Sequence, residues 1–203
     1  KVGITATNIN EAKSIENVGA DFIVAQGFEA GGHRGIFDQE NIDEKITLDN
    51  LLIKILENVS LPVVAAGGIM AGRHIKRVIN IGAKAAQLGT AFLTCPEAGT
   101  SLIHKHYLLN EQKRKTKITK AFSGRMARGI KNKFIEEMNG KKIFPFPIQN
   151  TITTSLRRVS QKNNNGEFIN LWAGINFNQV RDLSAKDLMK KLAEEFKAEN
   201  SIN

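Results

Sequence analysis

The sequence predicts an α/β fold in which parallel strands alternate with helices. Four short apolar segments rich in Val, Ala and Ile recur at intervals of roughly 20 to 40 residues, as repeated βα units do. Segments with helical spacing of apolar residues separate them. Glycines follow three of the four apolar segments directly. This alternation implies a parallel sheet with right-handed crossover connections.

The predicted strands are residues 2–7, 21–26, 63–66 and 85–88. The second and third contain the runs FIVA and VVAA, in which apolar and polar residues do not alternate. Because parallel strands covered by helices on both sides are continuously apolar, these two runs predict strands buried on both faces.

Helices are predicted between the strands and at the C-terminal end. In the first helix, Ala12, Ile15 and Val18 share one face. Ser184 and Asp187 have the spacing of a capping box, which predicts that the last helix begins after Ser184. The predicted helices are residues 11–18, 47–59, 74–82, 98–109 and 185–198, and residues 36–45 are expected to be irregular.

The 203 residues, 41% of them hydrophobic, suffice for one domain with a substantial core. We divide this domain into a βα part, residues 1–110, and a helical and irregular region, residues 111–203, packed on it. No Pro/Gly/Ser-rich linker separates the two parts.

Composition excludes several classes of protein. Cys95 is the only cysteine, so no internal disulfide can form, and a reducing, cytoplasmic location is expected. No apolar run approaches the ~20 residues that span a bilayer, so no membrane partner is expected. Metal-ligand spacings such as HExxH and CxxC are absent, as are GxSxG, the P-loop and GxGxxG. We therefore predict no metal site and no hydrolase, kinase or Rossmann function.

The formal net charge of +9 is concentrated in residues 113–133, which include no acidic residue. A nucleic-acid interface would be one explanation. However, the segment lacks interleaved aromatic residues and zinc ligands. We expect a solvated basic face, or one that serves an anionic ligand, and no nucleic-acid partner.

Residues 25–35 carry chemical groups on a glycine-rich loop directly after a predicted strand. Gly27, Gly31, Gly32 and Gly35 allow the backbone to approach a ligand closely, and His33 is suited to proton transfer near neutral pH. Two interpretations remain open from these residues alone: a cofactor site with a proton-transfer group, or a flexible surface loop with a solvated histidine. The other histidines, His74, His104 and His106, are weaker candidates.

Gly67-Gly68 and Gly89-Thr90 follow the third and fourth predicted strands. Because the carboxyl ends of parallel strands share one edge, the two turns should lie together and could bind a phosphate dianion through backbone N–H groups. In (β/α)₈ barrels such a cradle follows strands seven and eight. The alternative is that these glycines only relieve tight turns. Gln26 and Gln87 end their strands, where their amides could contact a cofactor or bond to the backbone.

Several motifs resemble those of the nitronate monooxygenase family. The loop AQGFEAGGHRG, residues 25–35, is the most specific of them. PVVAAGGI (62–69), GAKAAQLGTAF (82–92), FSGRMARG (122–129) and LWAG (171–174) are similar to further family motifs. The resemblance extends from about residue 1 to residue 182.

This resemblance implies an FMN-binding (β/α)₈ TIM barrel with an inserted helical region. It also implies oxidation of alkyl nitronates by O₂ to a carbonyl compound and nitrite. By resemblance, His33 is the catalytic histidine. The residues expected to bind FMN by resemblance are Gln26, Gly31, Gly68, Gln87, Leu88, Gly89 and Thr90.

The chain departs from the family pattern in three respects. Four predicted strands correspond to the fifth to eighth of the barrel, so the N-terminal half and its flavin contacts are absent. Met126 stands where the family usually has proline, and Ile175 where glutamine is common. A separate N-terminal half-barrel segment or a homo-oligomer is therefore a possible partner. The alternatives are a flavin-dependent enoyl-acyl-carrier-protein reductase, which has a similar loop, and a catalytically impaired fragment or subunit.

Overall fold

The computed structural model describes residues 1–38 and 42–199 and contains the predicted parallel sheet. Its four strands are β1 (Gly3–Ala6), β2 (Phe22–Gln26), β4 (Val63–Ala66) and β5 (Ala85–Gln87), in the order β1-β2-β4-β5. All three strand pairings are parallel. The predicted α/β alternation is confirmed.

Three helices connect these strands: α1 (Ile9–Asn17), α2 (Leu48–Leu56) and α3 (Gly72–Ile81). Asn8 caps α1 by accepting a hydrogen bond from the Glu11 N–H. The main core lies between these helices and one face of the sheet, where Ile23, Val63 and Leu52 are completely buried.

The prediction that the second and third strands are buried on both faces is wrong for β2 and holds only in part for β4, where Ala66 is buried and Val64 is half-buried. Ile23, Ala25, Val63 and Ala65 are buried, whereas the side chains that alternate with them on β2 are only half-buried. Helices α1, α2 and α3 pack on the face of the sheet that carries the fully buried residues. Local sequence shows that a strand is apolar but does not show whether its second face is covered.

A second sheet contains three antiparallel strands in the order β3-β7-β6: β3 (Gly32–His33), β6 (Thr116–Thr119) and β7 (Ala127–Ile130). The prediction that residues 111–203 are only helical and irregular is therefore wrong, because β6 and β7 lie in the basic segment. His33 pairs with Ala127, so this sheet joins the glycine-rich loop to the C-terminal region.

The remaining helices lie in the C-terminal region: α4 (Leu102–Asn110), α5 (Lys133–Glu137), α6 (Ile148–Lys162) and α7 (Ala185–Ala198). Short 3₁₀ turns occupy Thr90–Phe92, Gly166–Phe168 and Phe177–Gln179. The predicted cap of the last helix is confirmed, since the Ser184 side chain accepts a hydrogen bond from the Asp187 N–H. Residues 39–41 of the predicted irregular segment, and residues 200–203 of the predicted C-terminal region, lie outside the described residues.

Helix α6 presents its polar residues to the protein and its apolar residues to solvent. Gln149 and Thr153 are buried, while Ile152 and Val159 are more than half exposed. The buried side chains of Gln149 and Thr153 donate hydrogen bonds to backbone carbonyls of the segment between β6 and β7. Within residues 1–38 and 42–199, no helix has both the length and the apolar content needed to cross a bilayer.

Candidate functional site

The carboxyl edge of the parallel sheet forms one wall of a cavity of about 120 Å³. Gln26, Ala66 and Gln87 are register partners on neighbouring strands, so their side chains project from the same face. Gln26 and Gln87 therefore flank Ala66 at the cavity. The residues that line it are Gln26, Ala30, Gly31, Ala66, Gly67, Gly68, Ile69, Met70, Gln87, Gly89, Thr90, Gly174 and Asn176.

The two predicted glycine turns meet at this cavity. Gly67 and Gly68 have φ values of 126° and 67°, in the left-handed region that disfavours residues with a side chain. Within the described chain, the N–H groups of Gly68 and Gly89 have no hydrogen-bond acceptor. A Cβ on Gly89 would meet no atom within 4 Å. Free N–H groups beside open space suit an anion such as a phosphate.

The N-terminus of α3 contributes less to this cavity than the sequence suggested. Its first N–H, that of Gly72, donates a 2.8 Å hydrogen bond to Glu195 Oε2 on α7. The side chain of His74 accepts from the Met70 N–H at 3.2 Å. Both groups stabilise the start of the helix, and the Gly72 N–H is therefore not free for a ligand.

The Gln26 amide holds the glycine-rich loop. Its Nε2 donates to the His33 carbonyl at 3.1 Å, and its Oε1 accepts from the Gly35 N–H at 2.9 Å and from Arg34 at 3.0 Å. Since an amide NH₂ has two donor hydrogens, one remains for a ligand. Gln26 thus connects the cavity wall to the backbone of His33.

Arg34 is a structural element of the loop that sequence reasoning missed. It is 2% exposed, and its guanidinium forms an ion pair with Asp43, with Nε 2.8 Å from Oδ2. It also donates to the carbonyls of Gln26 and Gly27. A charged residue among glycines was the available signal, but no sequence pattern identified Asp43 as its partner.

His33 lies on β3 beside the cavity and does not line it. Its Nε2 is 2.8 Å from Ser123 Oγ, and the ring of Trp172 approaches it edge-on at 5.5 Å between centroids. The residue as a whole is exposed, but partial burial of its ring lowers its pKa, and the positive charge of Arg125 lowers it further. A neutral imidazole near pH 7 can accept a proton.

The segment after LWAG closes the cavity on the side of the C-terminal region. The Gly174 N–H donates to Thr90 Oγ1 at 2.9 Å, and Asn176 Nδ2 donates to the Gly68 carbonyl at 2.7 Å. Gly31 packs directly against this segment, since a Cβ there would lie 2.5 Å from Gly174 N. Asn176 lies two residues after the LWAG motif, and no pattern in the sequence marks it as part of the site.

Leu88, which was expected to bind FMN, and Glu29 of the glycine-rich loop do not line the cavity. Leu88 lies between Gln87 and Gly89, but its side chain packs in an apolar groove between α3 and α7. Only its backbone can face the cavity. Glu29 accepts a 2.9 Å hydrogen bond from the Leu48 N–H at the start of α2 and has a structural role. The described residues contain no group of three or more His, Cys, Asp or Glu side chains that could hold a metal ion.

Comparison with known proteins gives one consistent result. A family model described as nitronate monooxygenase matches residues 2–195. A probable nitronate monooxygenase of Staphylococcus aureus (strain Newman) is 45% identical over 173 residues, which cover 84% of this chain and 49% of that protein. A probable nitronate monooxygenase of Staphylococcus haemolyticus is 40% identical over 197 residues, covering 95% and 55%.

Several solved structures resemble the whole chain. Nitroalkane oxidase from Streptomyces ansochromogenes has a TM-score of 0.95 and 39% identity, and the match covers 99% of this chain and 59% of the other. FabK from Thermotoga maritima has a TM-score of 0.81 and 27% identity, with coverages of 99% and 62%. The chain spans about half the length of the curated relatives it matches.

Proposed function

The chain belongs to the nitronate monooxygenase family, and on that premise we propose that it forms an FMN-binding part of an enzyme that oxidises alkyl nitronates with O₂. The products are a carbonyl compound and nitrite. The predicted fold class is confirmed by the family and by both structural matches: this chain carries four βα units of a (β/α)₈ barrel.

The observation that carries this proposal is the meeting of two glycine turns beside the loop of His33. The free N–H groups of Gly68 and Gly89 would donate to a phosphate dianion, and the side chain of Thr90 lines the same cavity. Gly31, Gln87 and the remaining Gln26 N–H donor would provide polar contacts for the rest of the cofactor. When bound, FMN supplies the electron transfer between substrate and O₂.

The role of this chain in the reaction is to position the substrate and to move a proton. His33, whose pKa is lowered by partial burial and by Arg125, is neutral near pH 7 and accepts a proton from the carbon of a nitroalkane. The resulting imidazolium and the nearby Arg125 then stabilise the anionic nitronate. A nitronate supplied as the anion does not require the first proton transfer.

Substitution of His33 tests this assignment. In His33→Ala, turnover of a neutral nitroalkane should fall by about 10²-fold or more, the typical contribution of a general base, while FMN affinity changes little. His106→Ala is the matched control, because His106 is exposed on α4 and lies outside the cavity. A wild-type rate in His33→Ala would remove this residue from the mechanism.

The reaction catalysed distinguishes the alternatives left open by the sequence. A flavin-dependent enoyl-acyl-carrier-protein reductase would oxidise NADH with a crotonyl thioester, whereas a nitronate monooxygenase takes up O₂ with a nitronate. Both reactions should be measured on the same FMN-loaded preparation.

A non-catalytic subunit that binds a partner is the third alternative. In the described structure, β1 and β5 each have one unpaired edge, which can accept a strand of a separate half-barrel segment or of another copy. Failure to retain FMN, together with a partner at fixed stoichiometry, would support this alternative over the enzyme.

A further inference from the structure

Ser123 connects helix α6 to His33. It is 3% exposed and lies in the turn between β6 and β7, and its Oγ is 2.8 Å from His33 Nε2. The same Oγ is 3.3 Å from both the carbonyl oxygen and the N–H of Arg125. A buried hydroxyl with three polar neighbours has a limited number of ways to direct its single proton.

The backbone that presents Ser123 is held by the polar face of α6. Gln149 Nε2 donates to the Ala121 carbonyl and Thr153 Oγ1 donates to the Phe122 carbonyl, each at 2.6 Å. Gly124 has φ of 84°, and a Cβ there would lie 2.5 Å from the Phe144 carbonyl oxygen. This turn therefore has little freedom, which explains why α6 buries polar residues.

The hydroxyl of Ser123 can satisfy all three neighbours in one arrangement. It donates to the Arg125 carbonyl and accepts from the Arg125 N–H and from Nε2–H of His33, which uses one donor and two lone pairs. In the other arrangement the hydroxyl donates to Nε2, and the Arg125 carbonyl loses this donor. Only the first arrangement persists when the imidazole gains a proton, because both nitrogens of an imidazolium are donors.

We propose that Ser123 is a positioning residue that fixes His33 in the Nε2–H tautomer and so makes Nδ1 the nitrogen that exchanges a proton with the substrate. The use of Nδ1 in turnover rests on the proposed function, whereas the tautomer does not. Proton transfer to Nδ1 then requires no rotation of the Ser123 hydroxyl, so the base is organised before the reaction.

The charged side chains near the imidazole have other hydrogen-bond partners or act on the ring through their charge. Arg34, the next residue, is paired with Asp43, and Arg128 on β7 donates to the Phe28 carbonyl. Arg125 acts on the ring through its charge. Among the described residues, Ser123 is the hydrogen-bond partner assigned to the ring of His33.

The test is ¹⁵N NMR of the imidazoles in the full chain, with His33→Ala used to identify the resonances of His33. The wild type should show a protonated Nε2 and an unprotonated Nδ1. Ser123→Ala should give a mixture of tautomers and lower the pKa of His33 by about one pH unit, as loss of a hydrogen bond to a charged group implies. Ser160→Ala, which removes another buried hydroxyl from a site on α6, should leave the His33 spectrum unchanged.

Kinetics of the FMN-loaded protein provide a second readout. Ser123→Ala should lower kcat for a neutral nitroalkane at least about tenfold, a part of the contribution of a general base, with KM and FMN affinity nearly unchanged. Ser123→Thr, which keeps the hydroxyl, should restore the Nε2–H tautomer and most of the rate.

An Nδ1–H tautomer in the wild type would overturn the proposal. This measurement does not depend on the folding of any variant. An unchanged tautomer in Ser123→Ala would also overturn it. The NMR measurement uses neither flavin nor substrate. Full activity of His33→Ala would therefore refute the proposed function. It would not affect the assignment of the tautomer in the wild type.

Discussion

Replacement of Arg34 by methionine should strongly destabilise the chain, because Arg34 holds the loop of His33 from inside the protein. Its guanidinium donates hydrogen bonds to both oxygens of Asp43, to the Gln26 side chain and to two backbone carbonyls. Methionine keeps much of the side-chain volume and removes all of these donors. The Asp43 side chain, 4% exposed, would then be a buried carboxylate without its cation.

Breaking such a pair by removing one partner costs about 3–5 kcal/mol. The cost should depend on pH. Burial alone raises the pKa of Asp43, but the hydrogen bonds from Arg34 and Lys45 and the charge of Arg34 outweigh burial and lower it. This contribution to wild-type stability is present above the unfolded pKa of about 3.9 and is lost as the pH falls through the lower folded pKa.

In Arg34→Met the burial effect is opposed only by the N–H and the charge of Lys45, so the pKa of Asp43 rises above its value in the folded wild type. The variant therefore lacks stability that the wild type gains as the pH rises through the folded and unfolded pKa values of Asp43. The difference between variant and wild type should be largest near pH 7 and should narrow towards pH 4.

Urea unfolding followed by the fluorescence of Trp172, the only tryptophan, measures this difference at several pH values. Arg34→Met with Asp43→Leu should recover part of the loss, because no unpaired charge is left inside. Arg77→Met is the control, since the pair of Arg77 with Asp49 is exposed and worth at most about 1 kcal/mol. A loss below about 1 kcal/mol in Arg34→Met, or a difference independent of pH, would refute the reasoning.

Two further predictions concern the candidate site. Gly89→Ala should weaken FMN binding at least about tenfold, or 1.4 kcal/mol, with an unchanged free energy of unfolding, because its Cβ meets no protein atom and fills space beside the free N–H. Gly99→Ala, an exposed glycine with equally open surroundings, is its control in flavin titrations, and equal affinities would contradict the cradle. Arg125→Gln should raise the pKa of His33, because a like charge is removed, and should shift the acidic limb of the pH–rate profile to higher pH. NMR titration of His33 measures this shift, and an unchanged or lower pKa would show that Arg125 does not act on the imidazole.

The parallel sheet was predictable because its signals are local. Apolar runs that end at glycine mark β2 and β4, and a capping box marks α7. In contrast, β7 contains Arg128, which is buried because its guanidinium donates to the Phe28 carbonyl about a hundred residues away. A charge is visible in the sequence, but the partner that allows it to be buried is not. Helix α6 was missed for a related reason, since its polar face is the buried one.

Some residues of the candidate site were likewise predictable from the sequence, and others were not. The glycine turns and His33 could be selected from residue types, and the structure brings both turns to one cavity. Ser123 and Asn176 could not be selected in this way, because each acts through a single long-range contact. Ser123 contacts His33, and Asn176 donates to the Gly68 carbonyl. Nothing in the local pattern of a serine or an asparagine identifies such a contact.

The binding of a flavin phosphate by the N–H groups of Gly68 and Gly89 is tested most directly by titrating the chain with FMN and with riboflavin, which lacks only the phosphate. Quenching of flavin fluorescence gives both affinities. FMN should bind at least about tenfold more tightly, equivalent to 1.4 kcal/mol, and the preference should disappear in Gly89→Ala. Equal affinities for the two flavins in the wild type would contradict the phosphate site.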